Sequence, residues 1–281
     1  MLDRSLIVSI ALAALCMGLA DAQAFDDAQY PDLQGAWNRI GGQPRFDPSQ
    51  PRGPAQNPPL TPEYRAIFEA SQADMAAGGQ GNHPVYTCLA WGMPAMMNLY
   101  EAMEIVVTPD TTYILIDDVS DAVRRIFTDG REWPAEAEPA FTGYSIGKWI
   151  DTDGDGRYDV LEVETRNFKG PRVYDNSGLV LHPDNQSIIR EQIYLDKADP
   201  KTLYDEITVI DHALTRPWTV KKNYQREPDA QPYWRENVCA EGNDHIRIGK
   251  ENYMLSADGN LMPAKKGQQP PDFRHFNHAT K

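Results

Sequence analysis

Residues 187–211 read SIIREQIYLDKADPKTLYDEITVID, which is two alternating runs separated by a polar turn. In each run apolar side chains recur with a two-residue period, interrupted by Glu191 in the first run and by Asp205 in the second. This is the period of a β-strand with one buried face. The turn between the runs contains Asp199-Pro200, a pair that favours chain reversal. The stretch therefore predicts two antiparallel strands joined by a tight turn.

The same alternation extends through most of the chain after Tyr100, and it also occurs near the beginning, around residues 35–40. Further strands are predicted at 103–107, 112–116, 123–127, 144–150, 158–165, 218–224 and 245–248. Short strands joined by tight turns indicate an antiparallel meander in one all-β domain. Such a meander removes its exposed edges by closing into a barrel or by doubling into a sandwich.

The segment before these strands, residues 25–99, has a different composition. Its first part is rich in Pro, Gly and Gln, which indicates an extended arm because proline interrupts both helices and sheet ladders. One helix is predicted at residues 61–77, with Thr61 as N-cap, Pro62 in the first turn and glycines after its end. The domain limits are then 25–99 for the arm, helix and irregular segment, and 100–281 for the barrel with a polar C-terminal tail.

Residues 1–24 have the features of an export signal. Arg4 precedes an apolar run that ends near Ala20, and Ala22-Gln23-Ala24 offers a small-x-small cleavage site. The run is short for a membrane span, and no later stretch is longer, so we expect a periplasmic or secreted protein without a membrane span. The chain has 41 acidic and 27 basic side chains, a net charge of −14, which argues against nucleic acid as a partner.

Two cysteines, Cys88 and Cys239, remain after removal of the signal. In an oxidising compartment two such thiols usually pair, so we predict a disulfide between them. Neither belongs to a C-x-x-C motif, and the alternative is two independent buried thiols.

Ionisable residues share strand faces with apolar ones. Glu191 lies between Ile189 and Ile193 on one face, and Asp205 shares a face with Ile207. Further predicted inward residues are Trp218, Lys222 and Tyr224, together with Arg125, which alternates with Val123 and Phe127. A few charges among aromatic and aliphatic groups are typical of a ligand cavity inside a barrel. The alternative is that the polar groups lie near strand ends and reach solvent.

An acidic turn follows the strand at 144–150. Residues 151–162 match the twelve-residue calcium loop at every position, with the ligands Asp151, Asp153, Asp155, the Arg157 carbonyl, Asp159 and Glu162. We therefore predict a structural Ca²⁺ ion there. Glu162 lies in a predicted strand and is expected to point elsewhere, and the alternative for the whole motif is a solvated acidic hairpin.

Another motif, Gly143–Gly147, reads GYSIG and matches the nucleophile elbow of serine hydrolases. That motif needs a strand-to-helix turn in an alternating β/α sheet, and neither is predicted here. A serine hydrolase is therefore not expected.

Several segments together resemble a large, mostly uncharacterised family of exported bacterial proteins with a lipocalin-like barrel. They are DLQGAW at 32–37, MEIV at 103–106, VRRIFTDGR at 123–131, SIGKW at 145–149, TRPWTV at 215–220 and CAE at 239–241. Gly35-x-Trp37 also resembles the first-strand signature of lipocalins, in which a Trp closes one barrel end against a basic residue. The chain departs from the family pattern at Tyr144, where a His is expected, and in the acidic turn, which replaces a shorter one. The resemblance implies export and an antiparallel lipocalin-like barrel.

Three functions fit these features. The leading one is an exported protein that holds a small, largely apolar, aromatic-bearing molecule in the barrel. The second is a lyase, isomerase or hydrolase on the same cavity, with Glu191 as general base, Arg125 stabilising an anion, and Tyr144 or His182 as acid. The third is a structural envelope protein with a filled core, which should contain no unpaired inward charge.

Overall fold

A computed structural model of the chain describes residues 27–42, 44–84, 88–116, 122–229, 238–239, 244–249 and 251–271. The predicted export signal, residues 1–24, lies outside the described residues. No helix within those described ranges is long and apolar enough to cross a membrane.

Nine strands form a closed barrel, which confirms the predicted all-β barrel fold. They are β1 Gly35–Arg39, β2 Met103–Val107, β3 Thr111–Ile116, β4 Ala122–Phe127, β5 Tyr144–Ile150, β6 Val160–Arg166, β7 Ile188–Leu195, β8 Thr202–Ile210 and β9 Trp218–Arg226. The strand order follows the chain, and β1 closes the barrel by pairing antiparallel with both β2 and β9. The early strand that the sequence placed in the N-terminal arm is therefore part of the barrel wall.

One strand pair departs from the predicted antiparallel meander. β4 and β5 run parallel, with Ile126 beside Ser145. Parallel neighbours need a crossover connection of about a dozen residues or more, and residues 128–143 provide one. The pairing joins the last residues of β4 to the first residues of β5, so β5 begins beside the end of β4.

The predicted helix is present as α1, Pro62–Ala76. Thr61 caps it through a hydrogen bond from the Tyr64 N–H to Thr61 Oγ1, at 3.4 Å. Thr61 also donates its own N–H to the Ala213 carbonyl, at 2.9 Å, so the helix begins beside the segment that follows β8. Tyr64 and Phe68 are buried and anchor α1 against the rest of the protein.

A separate three-stranded sheet follows the barrel. It consists of β10 His245–Ile248, β11 Glu251–Leu255 and β12 Leu261–Pro263. The predicted strand at 245–248 is therefore present, but it does not belong to the barrel. The predicted disulfide is also confirmed, because Cys88 and Cys239 are bonded with their Cα atoms 5.6 Å apart.

The two ends of the barrel are closed differently. At one end Trp37 is fully buried, and the Arg226 guanidinium lies over its ring, 4.4 Å from the centroid. At the end nearest α1, Phe46 from the N-terminal arm packs against Trp218, with ring centroids 4.6 Å apart. The irregular segment before β2 contacts the interior too, since the Tyr224 hydroxyl donates to the Met97 carbonyl at 2.7 Å.

Candidate functional site

The middle of the barrel interior contains a group of buried polar side chains, called here the lumen cluster. Its members are Arg124, Ser145, Thr165, Glu191, Asp205 and Lys222, none of them more than 3 % exposed. They come from β4 to β9, and each lies on the buried side of its alternating strand. The inward positions predicted for Ile189, Glu191, Asp205, Trp218, Lys222 and Tyr224 all agree with the observed burial.

The predicted inward position of Arg125 is wrong. Arg125 is exposed on the outer surface, and its neighbour Arg124 points inward and is 1 % exposed. The sequence of β4, AVRRIF, has apolar residues on both faces, so its alternation does not decide which arginine is buried. Val123 and Phe127 favoured the face that turns out to be external, where Phe127 packs against Tyr144 and Arg131.

Arg124 is held by side chains from the next three strands of the barrel, β5, β6 and β7. Its Nη1 donates to Glu191 Oε1 at 2.8 Å, and its Nη2 donates to Glu191 Oε2 and, at 2.8 Å, to Thr165 Oγ1. Its Nε donates to Ser145 Oγ at 3.2 Å. This bidentate ion pair offsets the free-energy cost of removing both charges from water. Both Glu191 oxygens accept from Arg124. Glu191 is therefore placed to orient Arg124, and not to transfer a proton.

Asp205 has no such partner. Its side chain is 1 % exposed, and neither carboxyl oxygen has a hydrogen-bond partner among the described residues. Burial raises the pKa of Asp205 well above its usual range, and the nearby negative charge of Glu191 raises it further. A buried carboxyl without a partner is costly, so this position is the exception in an otherwise satisfied cluster.

Lys222 lies directly opposite Asp205 in the β8–β9 ladder, but its hydrogen bonds go elsewhere. Its Nζ donates to the Phe46 carbonyl and to Asn98 Oδ1, each at 2.7 Å. Burial lowers the pKa of Lys222 to about 8, while the negative charge of Asp205 acts in the opposite direction. The ammonium group therefore ties two irregular segments to the barrel wall and leaves Asp205 without a donor.

The other two predicted catalytic residues lie outside the lumen. Tyr144 is half-buried at the start of β5, where its ring packs against Phe127 and its hydroxyl lies 3.5 Å from Arg131 Nη1. His182 lies in the loop before β7, beside Tyr64 of α1. Of the four residues predicted to act together, Glu191 is the one inside the barrel.

The acidic turn forms as predicted between β5 and β6. One carboxylate oxygen each from Asp151, Asp153 and Asp155 lie within 4.8 Å of one another. The oxygens of Asp151 accept the N–H groups of Gly154 and Gly156, at 2.7 and 2.9 Å. These contacts fold the backbone around the carboxylates, as a calcium loop requires.

Other members of the predicted calcium set have different surroundings. Lys197 Nζ lies 3.1 Å from Asp153 and 3.7 Å from Asp159, and thus supplies a positive charge to the turn. The Arg157 N–H donates to Asp155 Oδ1. Glu162 lies on the outer face of β6, where Gln192 donates to it at 3.2 Å. Calcium binding at this turn stays a prediction.

No family model, curated protein or solved structure matches the chain. The lumen cluster is therefore the basis for any functional inference. An outer groove of about 480 Å³ crosses β5 to β9, and within it Glu164 accepts from both Arg166 and Arg190.

Sequence reasoning missed three features of the site. Strand alternation places Arg124 on the wrong face. Phe46 and Asn98 accept hydrogen bonds from Lys222, and no sequence pattern around either residue indicates this. The unpartnered state of Asp205 depends on where Lys222 directs its hydrogen bonds, which strand alternation does not determine.

Proposed function

We propose that the protein is an exported carrier that holds a small, largely apolar, aromatic-bearing molecule inside the barrel, with a hydrogen-bond donor of that molecule directed at Asp205. The observation that carries the proposal is the Asp205 carboxyl, which is 1 % exposed and whose oxygens have no hydrogen-bond partner in the part of the chain that the structure describes. Buried polar groups in folded proteins are almost always paired, and those that are not call for a ligand, an ion or a water molecule.

The surroundings of Asp205 define the chemistry of such a molecule. Its same-face neighbours on β8 are Leu203 and Ile207, and its partner on β7 is Ile193, all of them buried and apolar. An apolar body with one O–H or N–H group would satisfy the carboxyl and pack against these side chains. The Trp218 and Trp37 rings at the two ends of the barrel suit an aromatic compound.

The Arg124–Glu191 pair supports this arrangement without competing for the ligand. Every Arg124 nitrogen already donates to Glu191, Ser145 or Thr165, so its orientation is fixed from several sides. A preorganised polar wall of this kind lowers the cost of ordering side chains on binding.

An enzyme that acts inside the barrel is the second candidate, favoured by the neighbouring Asp205 and Lys222. Burial shifts the pKa of each toward its neutral form, raising that of Asp205 and lowering that of Lys222 to about 8. An acid and a base with shifted pKa values, close together at a ligand site, are typical of lyases, isomerases and hydrolases. In that case Asp205, and not Glu191, would be the proton donor. A structural envelope protein with a filled core is the least favoured, because such a core gains nothing from an unpaired carboxyl.

The proposal is tested with two probes of nearly equal shape, 2-naphthol and naphthalene, titrated against tryptophan fluorescence. The hydroxyl of 2-naphthol can donate to Asp205, so we expect it to bind at least about tenfold more tightly than naphthalene. Asp205→Leu removes the acceptor and should abolish the difference. Asp153→Asn, an exposed aspartate in the acidic turn, is the matched control and should leave it unchanged. Equal affinities for both probes, or no binding of either, would contradict the proposal.

A further inference from the structure

Two histidines and an aspartate meet outside the barrel, near the start of α1. His182 and Asp184 belong to the loop before β7, and His212 follows the end of β8. β7 and β8 are antiparallel with Ile188 opposite Ile210, so the residues that precede one strand and follow the other are brought to the same edge. The fold thus joins residues that are widely separated in sequence.

The three side chains place their ligand atoms close together. Asp184 Oδ2 lies 2.6 Å from His212 Nδ1, and Asp184 Oδ1 lies 3.0 Å from His182 Nδ1. All three ligand atoms lie within 4.8 Å of one another. Around a tetrahedral Zn²⁺ ion with bonds of ~2.1 Å, ligand atoms are about 3.4 Å apart, so the two short contacts need to open by less than about 1 Å.

Both imidazole rings turn their Nδ1 atoms toward the same carboxylate. His182 Nδ1 faces Asp184 Oδ1, and His212 Nδ1 faces Asp184 Oδ2. The Asp184 N–H also lies 3.2 Å from His182 Nδ1, so the loop backbone holds this ring close to the carboxylate. Nitrogen and oxygen atoms that converge in this way are the donors that a transition metal ion requires.

Neighbouring groups hold two of the three residues in place. The backbone N–H of His182 donates to Asp211 Oδ1 at 2.9 Å, and the His182 ring packs against Tyr64. Asp184 Oδ1 accepts the Gln186 N–H at 3.0 Å. The His212 side chain is 69 % exposed, which leaves one side of the group open to solvent.

We infer that His182, Asp184 and His212 form a binding site for a divalent transition metal of the zinc type. Two imidazole nitrogens and one carboxylate oxygen are a zinc donor set, unlike the all-oxygen set of the acidic turn. Three protein ligands leave a fourth position for water or an external ligand. This site lies outside the lumen, and it does not depend on the proposed carrier function.

The test is a zinc titration of chelator-treated protein in competition with a chromophoric chelator. One Zn²⁺ ion should bind per chain, and Co²⁺ at the same site should show the visible absorption of tetrahedral coordination. His212→Gln and Asp184→Asn should each weaken zinc binding by at least about 100-fold, since each removes a direct ligand.

Two control variants separate this site from other metal ligands. His245→Asn, in the C-terminal sheet, and Asp153→Asn, in the acidic turn, should both retain the zinc affinity of the parent. Melting curves without metal establish that each variant is folded, which is expected for His212→Gln because that side chain is largely exposed. Absence of zinc binding, or binding that is unchanged in both His212→Gln and Asp184→Asn, would overturn the inference.

Discussion

Arg124 and Glu191 form a bidentate ion pair in the middle of the barrel, and their side chains are 1 % and 0 % exposed. They are adjacent neither in sequence nor in the sheet, since Arg124 lies on β4 and Glu191 on β7. The pair therefore joins two strands that are three positions apart in the barrel through its interior. Loss of one partner leaves the other charge buried and uncompensated, whereas an exposed charge has no comparable effect.

Removal of one partner of this pair should destabilise the protein strongly. Arg124→Met should lower the free energy of unfolding by about 3–5 kcal/mol, because Glu191 is left buried without its counter-ion. Arg125→Met is the matched control, and its effect should be within about 0.5 kcal/mol because Arg125 is exposed. Urea unfolding of the two variants measures both values. Equal effects would show that the assignment of inward and outward arginines is incorrect.

Substitution of both partners together tests whether Arg124 and Glu191 interact directly. Arg124→Met with Glu191→Leu removes both charges and should recover most of the stability lost in Arg124→Met. A double variant as unstable as the sum of the two single variants would contradict a direct interaction between these residues.

The buried carboxyl of Asp205 should make stability depend on pH. Because its pKa is raised in the folded state, the folded protein keeps a proton that the unfolded chain releases above about pH 4. The stabilising contribution is present below that pH and is lost as the pH rises toward the raised pKa. Lys222 adds no slope between about pH 4 and 7, because it is protonated in both states below its folded pKa of about 8.

Asp205→Asn removes this dependence. The stability of Asp205→Asn relative to the parent should therefore increase as the pH is raised from about 4 to 7. Urea midpoints at several pH values measure the difference, with Asp153→Asn as the control. A difference that is constant with pH, or that decreases, would contradict the raised pKa.

The disulfide should contribute measurably to stability. It joins Cys88 to Cys239, 151 residues apart, and so restricts the unfolded chain over a long loop. Cys88→Ser with Cys239→Ser should lower the free energy of unfolding by about 2–4 kcal/mol. Urea unfolding of this variant, beside the oxidised parent, gives the value. Identical unfolding curves would show that the bond is energetically neutral.

Calcium at the acidic turn should raise the melting temperature. Asp151, Asp153 and Asp155 already face one another, and calcium would relieve their repulsion with an affinity on the order of 10⁻⁴–10⁻³ M. Melting curves in millimolar calcium and in EDTA measure the effect, and Asp153→Ala with Asp155→Ala should abolish it. Lys197→Gln should strengthen calcium binding, because Lys197 now supplies the positive charge. Identical melting curves in calcium and EDTA would show that the turn binds no ion.

The strand faces show how far sequence reasoning extends. On β7, β8 and β9 a clear two-residue alternation predicts the inward positions of Glu191, Asp205 and Lys222. On β4 both faces carry apolar residues, and burial of Arg124 depends on Glu191, Ser145 and Thr165 from other strands. Contacts of this kind are set by the closure of the barrel, so the local pattern does not contain them.

The ligand proposed on Asp205 should be detectable in the protein itself. Native mass spectrometry of protein purified from its natural source, followed by denaturing extraction, measures this most directly. We expect a small aromatic compound with an O–H or N–H group, bound to the parent and to Asp153→Asn and absent from Asp205→Leu. A parent protein that carries its own mass alone, or a compound retained equally by Asp205→Leu, would contradict the proposal.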